Sequence, residues 1–176
     1  MNMVQDLAAR TLLVILVAAV VQDFMYMKIS NRLILMGILF SLAFGFMTGC
    51  LRQVLYVLVN ISFPVFVLYL FYLLGVLGAG DIKLFSIIGG FTNFKLLTGC
   101  MFYSFVAAAV IAVGKMLYNR NLRISVFKAG IFFRSIPREG LVSYHKEWAE
   151  RRNLMHFSVP ILIGYMVAVL HWKLYR

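Results

Sequence analysis

Six apolar runs separated by polar breaks order this chain. They cover about 3–22, 33–49, 53–77, 82–95, 97–118 and 157–173. Crossing a hydrocarbon core of roughly 30 Å takes about 20 apolar residues in a helix. The runs therefore read as about six transmembrane helices of an all-α, polytopic membrane bundle. The fourth is short and carries Gly89-Gly90, so it is expected to begin inside the membrane, surrounded by protein and not by lipid. The first run follows Arg10 and resembles the charged and apolar parts of a signal peptide. Asp6 precedes it, however, no convincing A-x-A site follows it, and the expectation is that it stays as helix one.

The polar breaks fall at 23–32, 78–81 and 119–156, and only the last is sizeable. Its "LRISVFKAGIFFRSIPREG" mixes basic and large apolar residues at near-helical spacing, which predicts an interfacial helix lying on anionic lipid. Further on, Lys146 with Glu150 and Glu147 with Arg151 stand at the i,i+4 spacing of an exposed helix.

Composition agrees: 63% of residues are hydrophobic, 13% charged, and the mean hydropathy is +0.92. Residues 1–176 read as one integral membrane domain. A net charge of +11 would suggest nucleic acid in a soluble protein; here its placement matters more, and no nucleic-acid partner is expected. Of the seventeen basic residues only Arg10, Arg52, Lys95, Lys173 and Arg176 lie away from the three breaks and their adjoining helix ends. The positive-inside rule then puts the breaks in the cytoplasm and the N-terminus outside. Cys50 and Cys100 lack zinc-site spacing. A disulfide between them is one reading and free thiols the expected one, since a helix bundle needs no covalent staple. His145 and His156 match no HExxH pattern. Neither a metal nor a cofactor is expected.

Six acids occur in the chain, and three of them, all glutamates, belong to the basic break. With Asp6 at the terminus, Asp23 and Asp81 remain, both at membrane boundaries. A carboxylate within a membrane costs about 2.5–3.5 kcal/mol on insertion scales, which makes it a functional candidate with a partner to be found. Asp23 follows helix one and Asp81 precedes helix four, and the hairpin between them returns the chain to the same face. Two close carboxylates share a proton and can act as acid and base towards a water attacking an amide, which is aspartyl-protease chemistry. Read alone, Asp81 could be a helix cap and Asp23 a boundary residue. Gly78 and Gly80 argue for more than a cap, namely a non-helical backbone open to close approach.

The run Gly78-Ala79-Gly80-Asp81-Ile82-Lys83-Leu84 resembles the GxGDxKL motif of type IV prepilin peptidases, the polytopic GxGD-class aspartyl proteases. Asp23 followed by Ile29-Ser30-Asn31 is similar to that family's first aspartate and its I-P-N, with Ser30 in place of proline. The resemblance implies catalytic aspartates at Asp23 and Asp81, at the cytoplasmic ends of helices one and four. It also implies an aspartic endopeptidase that removes the basic leader of a pilin-like precursor in the prokaryotic cytoplasmic membrane. The chain resembles the short, peptidase-only form associated with Flp or Tad pili, so no N-methyltransferase domain is expected. Partners would be the precursor and anionic inner-leaflet lipid; a homo-oligomer stays open.

Asn31, Lys83 and Pro160 join Gly78 and Gly80 as residues that bind substrate or shape the site. Ser30 can cap helix two. Asn31 is read as structural. Lys83 either snorkels to the inner interface or holds substrate; its spacing from Asp81 is wrong for an ion pair. Pro160 falls near the depth of the aspartates and either kinks helix six or frees a backbone carbonyl there. A small proton-coupled transporter using the same two aspartates, with a substrate site around Gly78–Gly80, is the alternative. It predicts inverted repeats, and none is found beyond two "TGC" triplets. A non-catalytic assembly factor is a third reading.

Overall fold

The computed structural model of the chain describes residues 3–48, 51–74, 77–118 and 157–174. Among them are six α-helices: α1 (Met3–Tyr26), α2 (Asn31–Thr48), α3 (Leu51–Leu73), α4 (Ala79–Phe91), α5 (Phe94–Tyr118) and α6 (Ser158–Leu174). The interfacial helix expected in 119–156, its two charge pairs, both of its histidines and Cys50 lie outside the described residues. Cys100 is a free, buried thiol.

Met1–Ala107 with His156–Arg176 forms one compact unit and Ala108–Met155 a second. Of the second, the described part is the end of α5, with Val110, Val113 and Leu117 exposed and Lys115 in its last turn.

The stretches Asp6–Tyr26, Leu51–Leu73 and Phe94–Lys115 are long and apolar enough to cross a membrane, and Asn31–Met47 and Ser158–Leu174 are shorter apolar helices. Apolar residues also cover the outside of the first unit: Phe66 on α3 is 87% exposed. In water that would be an unburied core residue; in a bilayer, lipid surrounds it. The protein is a membrane helix bundle.

The short helix α4 lies at the centre and packs against α1, α2, α3 and α6. Its Ile82 and every residue from Leu84 to Gly90 are buried, so beyond Lys83, which is exposed, it is apolar and covered all round, as an interior helix must be. Thirteen residues span only about 20 Å, and neighbours instead of lipid satisfy its surroundings.

Two sequence features set the α3–α4 contact. Pro64 inside α3 has no N–H to offer the carbonyl of Asn60, four residues back. At Gly89 a Cβ would collide with that same Asn60 carbonyl. A glycine there lets the two backbones meet, the small-residue device of membrane packing. Asn60, itself buried, then donates its Nδ2 to the carbonyl of Thr92, the C-cap of α4, at 3.1 Å.

Two helix ends differ from the sequence expectation. Helix one does not stop before Asp23 but runs through it to Tyr26. Polarity alone does not end a helix; the break comes at Met27, whose φ of 51° is left-handed and whose N–H returns to the carbonyl of Asp23 at 2.9 Å. Helix four starts before Asp81 and not after it, because Gly78, extended at φ −75° and ψ 149°, serves as its N-cap.

Candidate active site

Asp23 sits in the last turn of α1, one turn before the left-handed Met27. Its Oδ2 accepts the hydroxyl of Ser158 at 2.5 Å. That is the length of a strong O–H to carboxylate bond. Ser158 opens α6 and is buried, so the contact ties two chain segments 135 positions apart.

Asp81 occupies the third position of α4, and its Oδ2 accepts the N–H of Gly78 at 3.2 Å. It therefore is a helix-start residue, though not the N-cap that a bare reading of the acid allows. The carboxylate supplies the acceptor half of a capping box to one of the helix's free N–H groups. Asp81 lies outside the membrane-crossing stretches and is half-buried. Its carboxyl is pushed up from 3.8 to about 7: loss of hydration is the main cause, the Gly78 N–H opposes it, and the charge of Asp23 adds to it. The two aspartates thus bear on each other electrostatically across α1 and α4.

The expected open backbone at Gly78–Gly80 is replaced by a helix start, with Gly80 already helical. Close approach is still what these glycines provide, but to the chain's own residues. A Cβ on Gly80 would stand 3.3 Å from Ile29 Cδ1, and one on Gly78 would stand 3.1 Å from Asp81 Oδ2. The α1–α2 linker is thereby seated on the first turn of α4.

The linker is built by short bonds. Ser30 caps α2, its Oγ accepting the N–H of Leu33 at 3.3 Å, and its own N–H donates to Gln22 Oε1 at 3.1 Å. Proline would have no N–H to give Gln22, so Ser30 adds a bond where I-P-N cannot. Lys83 Nζ donates to Asn31 Oδ1 at 2.8 Å. Both are exposed, and the bond joins α2 to α4 beside the aspartates.

Pro160 neither kinks α6 nor frees a helix carbonyl. It is the third residue of α6, where an N–H has no acceptor within the helix in any case. It is buried beside Ser158 at the helix entry. Ser158 and Gln22 were not singled out by the sequence; one is a serine among many, and only a three-dimensional fold brings it to Asp23.

The model of the type IV leader peptidase family matches residues 11–113, more than half of the chain and the part that holds both aspartates. The chain belongs to that family. No curated protein and no solved structure compared with it gave a match. Membership makes the chain a leader peptidase-like membrane protein of a protease family. The family match ends before α6, so the roles of Ser158 and Pro160 rest on geometry alone.

Proposed function

We propose that the protein is an aspartic endopeptidase that cleaves the basic leader from a type IV pilin-like precursor at the cytoplasmic face of the membrane. The dyad is Asp23 and Asp81. The observation that carries this reading is the pair itself: two acids from distant helices in an apolar bundle, one raising the proton affinity of the other. Membership of the type IV leader peptidase family supports a leader-bearing precursor as the substrate.

In the cycle we infer, Asp81 holds the dyad proton near neutral pH. Asp23 takes a proton from the attacking water as its oxygen adds to the scissile carbonyl carbon, and Asp81 gives its proton to the carbonyl oxygen. The resulting diol collapses: Asp23 passes its proton to the leaving nitrogen, and Asp81 recovers one from the diol hydroxyl. Ser158 holds Oδ2 of Asp23 and so fixes the orientation of this carboxylate. No N-methyltransferase activity is included in the proposal.

Co-expression with a candidate prepilin tests it, with leader removal followed on gels and the new N-terminus sequenced. The wild type should release the leader at one bond. Asp23→Asn and Asp81→Asn should each leave the precursor intact while still inserting in the membrane; normal processing by either removes the dyad assignment.

A further inference from the structure

A groove of about 690 Å³ runs between α1 and α2, and neither Asp23 nor Ser158 lines it. Its walls are mostly apolar, among them Val14, Ala18 and Met36, and it extends from Arg10 at one end to Gln22, Ser30 and Arg32 at the other. Along α1 the distance from residue 10 to residue 22 is about 18 Å at 1.5 Å per residue. That is slightly more than one leaflet's share, about 15 Å, of a 30 Å core. It is too short for an apolar helix that crosses the whole bilayer.

The Gln22 end is a set of donors without an acid. Ser30 Oγ accepts from Leu33, which leaves its O–H to donate. Gln22 Oε1 accepts from Ser30, which leaves its side-chain NH₂ to donate. Arg32 is exposed and has no acidic partner among the described residues. Asp23, the nearest acid in sequence, does not line the groove and takes its bond from Ser158. Donors that line one end of a groove with no acid among them suit a phosphate.

We propose that the α1–α2 groove holds one anionic phospholipid, its phosphate on Arg32, Ser30 and Gln22 and one acyl chain laid along the apolar walls towards Arg10. A basic pilin leader would be repelled at the Arg32 end, and its apolar helix would overrun the groove. The inference rests on the membrane bundle and not on the peptidase reading, so it stands or falls separately from it.

Native mass spectrometry of the protein released from nanodiscs of mixed phosphatidylglycerol and phosphatidylcholine tests this. The wild type should retain one phosphatidylglycerol in preference to phosphatidylcholine. Arg32→Gln should reduce that preference about fivefold, the size expected for one surface arginine near anionic lipid, and Arg32→Lys should keep much of it. Arg52→Gln, an exposed arginine outside the groove, should change nothing. Ala18→Phe keeps the arginine but fills the groove, and should abolish retention of the lipid. Unchanged lipid preference in both Arg32→Gln and Ala18→Phe would overturn the proposal. So would a photo-crosslinker at Met36 that captures a second copy of the chain or a pilin helix in place of lipid.

Discussion

Ser158 is where a single hydrogen bond has the most leverage. Removing it with Ser158→Ala takes away the hydroxyl that holds Oδ2 of Asp23, and a hydrogen bond to a charged group is worth about 1.5–3 kcal/mol. We expect pilin cleavage to slow by roughly tenfold or more by that measure, with Ser158→Thr close to wild type because the hydroxyl remains. Equal rates in all three proteins would reduce Ser158 to a helix-entry residue. At Asp81 the expected signature is in pH. If the form that cleaves carries its proton there, kcat/KM should fall as pH rises through about 7. A rate that stays level to high pH would assign the proton elsewhere. Both aspartates were legible in the sequence because acids are rare in an apolar chain and stand out. Ser158 was not, because its meaning comes from a contact across 135 positions. For Gly80 the need for space was legible, but the neighbour that needs it, Ile29, was not.

At the scale of the element, α4 decides how the site is held. Its N-terminal end carries Asp81 and its C-terminal end is capped by Asn60. Between them Gly89 lies against the α3 backbone. Gly→Ala inside a helix ordinarily stabilises by about 0.5–1 kcal/mol. At Gly89 the sign should invert, because the added methyl meets a backbone carbonyl that cannot rotate away, with a loss of about 1–3 kcal/mol. Gly99 on α5 is the control: nothing stands within 4 Å of its Cβ position, so Gly99→Ala should be neutral or stabilising. Thermal unfolding in detergent distinguishes the two, and equal shifts would contradict the α3–α4 contact. The six runs of apolar residues foretold these helices well, since burial in lipid leaves the backbone no other choice. Their ends were less legible: α1 outlasts its apolar run by a turn until Met27 changes hand, and α4 starts early at Gly78. Local backbone geometry settles such ends, and hydropathy does not report it.

For the whole molecule, the basic residues gather on the breaks that adjoin the aspartates, which predicts the cytoplasm as the side of cleavage. A reporter fused within 125–150 should read cytoplasmic, and one fused after Arg176 external. Both on one side would remove the last crossing and with it the shared face of Ser158 and Asp23. The measurement that bears hardest on the paired-acid mechanism uses purified protein in nanodiscs with a synthetic prepilin, comparing Asp23→Asn, Asp81→Asn and the double variant. Residues that act as one unit lose their effect together. Each single variant should therefore fall to the same residual rate as the double, with the helical content of all three unchanged. Appreciable cleavage by either single variant, or a double variant slower than both by the product of their losses, would show that Asp23 and Asp81 do not work as a dyad.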